Sequence, residues 1–175
     1  PYMHYFAQEY GEKGMDKEGF SGRDGRTTIF DYWSVDTMCR ADEGNLTEDE
    51  KKLADIYSKL MNFARTDKTV TGLSYDLMYA NPHSASFNPD RQYAFLRRSG
   101  RQLLVVVVNF DNLDRDILLN IPEHAFEYLK LSDGKDVMGE EILTGESFAA
   151  CLSSKQPLSI HVPKYGAAII KINKA

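Results

Sequence analysis

The stretch Gln102–Asn112, QLLVVVVNFDN, decides the fold, because six consecutive apolar residues, four of them β-branched Val, suit the centre of a sheet. Ser99-Gly100 ahead of it reads as a tight turn, and Arg91–Arg98, RQYAFLRR, alternates like a half-buried partner, so the two form a hairpin. From Lys68 onward the pattern stays strand-like. Leu73–Tyr79, Gln92–Arg98, Leu103–Phe110, Asp116–Ile121, Phe126–Leu131, Val137–Leu143, Ser147–Leu152, Leu158–Val162 and Ala167–Ile172 are each short and bounded by turn residues. That spacing predicts an antiparallel sandwich with its own core.

Residues before Lys68 are written differently. Pro1–Tyr10, PYMHYFAQEY, is a nearly continuous apolar and aromatic run that fits a strand buried on both faces of a parallel sheet. A glycine-rich excursion, Gly11–Gly25, follows; loops of that length are more often functional or disordered than neutral connectors. Arg26–Trp33, RTTIFDYW, carries the only Trp. An exposed Trp beside a polar loop is a surface for sugar rings, and packing in the core is the competing reading. Thr47 and Glu50 then form a capping box, and Leu53, Ile56, Tyr57, Leu60, Met61 and Ala64 keep helical spacing through Arg65, predicting a helix with one buried face. The same cap accounts for Thr47 in the sequon Asn45-Leu46-Thr47. Strand, loop and helix make one βα unit, which cannot fold without parallel neighbours. In isolation Pro1–Tyr10 is expected to expose apolar surface and an unpaired edge.

Composition narrows the function. With 175 residues and a net charge of −5, the chain has no basic run, which argues against a nucleic-acid surface. Arg97, Arg98 and Arg101 are read as a solvated edge beside the hairpin turn. No apolar run reaches the ~20 residues that span a bilayer, so no membrane span is expected. The chain begins with Pro1 rather than Met, so a trimmed amino end is expected and the compartment stays open. Cys39 and Cys151 make no CxxC pair and are expected as two buried thiols. The four histidines, His4, His83, His124 and His161, are scattered, and no HExxH, Walker loop or dinucleotide fingerprint occurs.

Pro1 to Gly11, PYMHYFAQEYG, resembles the last barrel strand of the α-amylase family of glycoside hydrolases, with its Pro-x-x-x-Tyr-Tyr-Gly-Gln-Glu-x-Gly pattern. Arg26–Trp33 looks like the segment after that strand. Tyr93–Arg98, the run ending Asn109-Phe110, and Val162–Ile172 resemble the family's carboxyl-terminal β-sandwich, domain C. Two departures stand out: Ala7 replaces the usual Gly, and the Arg26–Trp33 spacing is longer.

The resemblance implies an α+β fragment, with one terminal βα unit of a (β/α)8 barrel over residues 1–67 followed by an all-β antiparallel sandwich over 68–175. It implies the carboxyl-terminal portion of an enzyme that cleaves α-glucosidic bonds with retention, acting on an α-glucan or maltooligosaccharide. The partner of this segment would be the upstream barrel of the same chain. The family's catalytic carboxylates sit on earlier strands, so no catalytic residue is expected here. Pairing Glu9 with Asp16, Asp24 or Asp31 is disfavoured, because a flexible loop holds carboxylates too loosely for the ~5–5.5 Å separation retention requires. Gln8 and Glu9 are expected to form a polar rim, and Arg23, Asp24, Arg26 and Trp33 to border sugar subsites; loop ion pairs and packing are the competing reading. No cofactor is expected in this segment, and calcium would belong to the intact protein. The second hypothesis is a non-catalytic β-sandwich module that binds carbohydrate or protein. On the hydrolase reading, domain C alone is expected to bind maltooligosaccharides weakly or not at all.

Overall fold

The computed structural model describes residues 3–4, 7–12 and 35–175. The chain divides into two compact units, Pro1–Asn62 and Phe63–Ala175.

The second unit is built on the valine-rich strand. Strands β1 (Leu73–Asp76), β2 (Gln92–Ser99), β3 (Gln102–Asn109), β4 (Arg115–Leu119), β5 (Lys135–Glu141), β6 (Ser147–Leu152), β7 (Leu158–Val162) and β8 (Gly166–Ile172) form two antiparallel sheets. One has the order β1-β2-β3-β8-β5-β6, and the other pairs β4 with β7. The β2–β3 hairpin closes at Ser99↔Gln102, and Gly100 holds φ 60°, a left-handed turn conformation that glycine adopts without strain. Leu103, Val105 and Val107 point into one core with Ile117 and Leu119 of β4, Ile160 and Val162 of β7, and Ile170 and Ile172 of β8. The sheets therefore face one another, each large buried side chain contributing about 1.5–3 kcal/mol. Leu104 and Val106 are buried on the other face of β3, and the 3-10 turn Lys68–Thr71 packs against β2 and β3.

Two expected strands change. Phe126–Leu131 is not a strand: Glu123–Leu129 forms a helix, placing Ala125, Phe126 and Leu129 in the core at helical spacing. Pro122 precedes its first residue, and Lys130, at φ 54°, ends it. The first strand stops at Asp76 because its Oδ1 accepts the Met78 N–H at 2.7 Å, turning the chain into the 3-10 segment Met78–Ala80.

Buried amides fasten the strand ends. Asn109, fully buried, donates to the carbonyls of Leu113 at 2.9 Å and Pro163 at 3.1 Å, and accepts from Gln92 Nε2 at 2.9 Å and the Asp111 N–H at 3.0 Å. Asn81 likewise donates to the carbonyls of Leu77 and Asn120 and accepts the Asn120 N–H. Both satisfy groups that would otherwise be buried without partners.

The cysteines correct the expectation of buried thiols. Both are exposed and outside any disulfide. Cys39 lies on the helix Asp36–Asp42, and Cys151 sits at an outward position of β6, the last strand of its sheet. Nor is Arg98 simply a solvated edge: it is half-buried, its guanidinium donates to the carbonyls of Gly100 at 2.8 Å and Leu129, and burial pushes its pKa down.

The helix Glu48–Thr66 starts at the expected box: Thr47 N–H donates to Glu50 Oε2 at 2.8 Å, and Glu50 N–H donates to Thr47 Oγ1 at 3.3 Å. Arg40 also grips Glu50, so hydrogen bonds from Arg40 and then Thr47 pull that carboxyl down to about 2. The expected burial does not follow. Leu53, Tyr57 and Leu60 are half-buried, Ile56, Met61 and Ala64 are exposed, and no residue of the helix is buried.

Candidate functional site

Of the residues singled out in the sequence, Arg23, Asp24, Arg26 and Trp33 lie outside the described residues. Pro1, Tyr2, Tyr5 and Phe6 of the expected strand also lie outside the described residues, while Gln8 and Glu9 lie in a single 3-10 turn, Gln8–Tyr10. Ala7, the residue before it, is buried at φ 60° and ψ 12°, a left-handed backbone that disfavours any side chain with a Cβ. Gly11, at φ 72°, closes the turn. Gln8 Nε2 donates to the Tyr57 hydroxyl at 2.9 Å, and Glu9 Oε2 lies 2.7 Å from His4 Nε2. The His4 ring stands edge-on to Tyr57 at 5.3 Å. Both polar side chains are thus engaged within their own unit, where they fix the turn.

A second cluster forms on the β-unit. Tyr75 of β1, Tyr79 of the following 3-10 turn, and His124 and Tyr128 of the helix Glu123–Leu129 line an open cavity of about 530 Å3 with Ser74 and Asp76. Tyr75 is 8% exposed, and its hydroxyl meets Tyr79 Oη at 2.5 Å and His124 Nδ1 at 2.9 Å. A chain in which Tyr79 donates to Tyr75 and Tyr75 donates to His124 satisfies all three groups. Burial, then the bond with Tyr79, pushes the Tyr75 phenol above its ordinary range and keeps it neutral. Tyr128 packs on Tyr75 at 5.8 Å between ring centroids, tilted by 48°, while its own ring and that of Tyr79 stay open to solvent at 47% and 65% exposure. The floor of the cavity is a hydrogen-bonded phenol, and its walls are aromatic faces.

Sequence reasoning missed this cluster. His124 and Tyr128 stand four apart on one helical face, a pairing lost when the segment is taken for a strand. Tyr75 and Tyr79 meet them only through the fold. Among the described residues no group of three or more His, Cys, Asp or Glu could hold a metal ion, and no helix is long and apolar enough to cross a membrane.

Antiparallel sheets over a shared core define an all-β domain. Residues 84–173 match the family model for the α-amylase C-terminal all-beta domain, and the chain belongs to that family. Among solved structures, a maltogenic α-amylase AmyB from Thermotoga neapolitana aligns with TM-score 0.52 and 11% identity, covering 70% of this chain and 26% of that one. AmyP in complex with maltose aligns with TM-score 0.51 and 16% identity over 73% of this chain and 22% of that one. The α-galactosidase I of Mortierella vinacea gives TM-score 0.50 and 10% identity over 74% of this chain and 29% of that one. At such identities the likeness shows a common fold, and the chain spans under a third of the length of each enzyme. No curated protein sequence matches the chain.

Proposed function

We propose that this chain is the carboxyl-terminal portion of an α-glucan-active, retaining glycoside hydrolase: residues 1–67 supply the last βα unit of a catalytic barrel, and 68–175 the domain that braces it. The observation that carries this reading is the helix Glu48–Thr66, a 19-residue amphipathic segment next to an amylase-type β-domain with no residue buried. Its apolar stripe is only partly covered, with Leu53, Tyr57 and Leu60 half-buried and Ile56 and Met61 exposed, and the flank of a parallel barrel would complete the burial. In that assembly Gln8, Glu9, Arg23, Asp24, Arg26 and Trp33 border the sugar-binding rim, while the cleaving carboxylates come from strands upstream.

The experiment is to express the complete gene product and this chain separately with maltoheptaose, following the anomer formed by NMR. Cleavage with retention by the complete protein, and none by the 175-residue chain, is the expected result. A complete protein without α-glucan activity, or with an unrelated fold ahead of Pro1, overturns it.

A further inference from the structure

We propose that the cavity of Tyr75, Tyr79, His124 and Tyr128 binds an α-linked gluco-oligosaccharide on the β-domain itself; the choice of an α-glucan rests on the hydrolase reading above, whereas the site rests on its own geometry. A pyranose presents C–H groups on its faces and hydroxyls around its edge. Binding it in water takes aromatic faces for the first and polar groups for the second. Tyr79 and Tyr128 provide exposed rings. Ser74, Asp76 and His124 provide donors and acceptors around the same opening. The cavity, about 530 Å3, falls in the ~300–1,000 Å3 range of small-ligand sites.

The rings are also fixed in advance. A lone surface tyrosine must surrender rotamer freedom when a sugar stacks on it, which offsets much of the contact. Here the Tyr79 hydroxyl is held at 2.5 Å by Tyr75, which is anchored in the core, and Tyr128 lies against both Tyr75 and His124, with centroids 5.8 Å and 6.4 Å away. That ordering is complete before any ligand arrives.

Tyr79 is tilted 54° and Tyr128 48° from the plane of Tyr75, so each ring leans on the anchored phenol at an angle instead of stacking flat on it. The preference for an α-linked chain over a β-linked one rests on the hydrolase reading.

The test is calorimetric and NMR titration of the 175-residue chain with maltoheptaose, with cellohexaose as the flat-chain control. Maltoheptaose is expected to bind, in contrast to the weak or absent binding the sequence alone leads one to expect of domain C, and to shift the Tyr79 and Tyr128 ring resonances, with cellohexaose weaker. Tyr79→Ala and Tyr128→Ala should each weaken binding about three- to tenfold. Phe110→Ala, an exposed aromatic outside the cavity, should leave it unchanged. Tyr75→Phe keeps the ring and removes the tether, so it should weaken binding about twofold with the circular dichroism spectrum unaltered. No binding of maltoheptaose, or binding that both alanine variants leave intact, overturns the site. If the complete protein still cleaves α-glucans, that failure leaves the hydrolase reading standing. A preference for cellohexaose through the same tyrosines overturns the α-linked ligand, and cleavage assays on the complete protein then decide the hydrolase reading separately.

Discussion

Asp67 and Lys171 are joined by an ion pair that locks the start of the β-unit to its last strand. Asp67 also accepts the N–H of Thr69 at 2.9 Å and its hydroxyl at 2.5 Å, capping the 3-10 turn Lys68–Thr71. With side chains 8% and 21% exposed, the pair is shielded from solvent far better than an ordinary surface bridge. Burial alone would raise the Asp67 carboxyl, but the bonds from Lys171 and Thr69 outweigh it and hold the carboxyl below its usual range.

The stability this carboxylate contributes is therefore present above the unfolded carboxylate pKa of ~3.9 and is lost as pH falls through the lower folded value. Asp67→Asn should destabilise the chain by about 2–3 kcal/mol at pH 7, since it leaves a half-buried ammonium unpaired. Urea midpoints of wild type and variant should converge as pH drops below about 4. A gap that persists unchanged to pH 2 would show that the charge is irrelevant.

Asn109→Ala should be among the most damaging single changes in the β-unit. It removes the bonds Asn109 donates to the carbonyls of Leu113, Pro163 and, more distantly, Val162 and the two it accepts, at a fully buried position, stranding those carbonyls and the Gln92 amide. About 3 kcal/mol of lost stability is expected from the unsatisfied groups. A change in melting free energy below about 1 kcal/mol would contradict the network.

Gly72→Ala tests a close approach rather than a turn. A Cβ there would lie 2.1 Å from the Arg98 carbonyl oxygen, on backbone that cannot step aside without parting β1 from β2. The expected loss is about 2 kcal/mol or more, read from chemical denaturation, with hydrogen exchange in Leu73–Asp76 accelerated.

Ala7→Gly should act in the opposite direction. Ala7 occupies a left-handed backbone where glycine carries no Cβ penalty, so the substitution should relieve about 1 kcal/mol of strain. Reduced protection from hydrogen exchange at Tyr10 and Gly11 would refute it.

Much of the β-unit is legible in the chain itself. The valine run can sit nowhere but a central strand, β6 and β7 fall at the expected residues, and the Thr47–Glu50 box marks the start of its helix. Ala7 is visible as a departure from glycine, although only the backbone angle shows what that departure means. The segment after Pro122 misleads because Phe, Tyr and Leu favour strands, while Ala125, Phe126 and Leu129 reach the core only when wound as a helix.

The sequence by itself determined most of the strand-forming segments, the pairing of the valine run with its preceding strand and the family, because these depend on side-chain period and turn chemistry within a few residues. Only the tertiary structure decided the aromatic cavity. Tyr75 and His124 are 49 residues apart and share a hydrogen bond because β1 and the helix Glu123–Leu129 pack at one end of the sheet. Such a contact is set by how a whole core closes, and no local pattern encodes it.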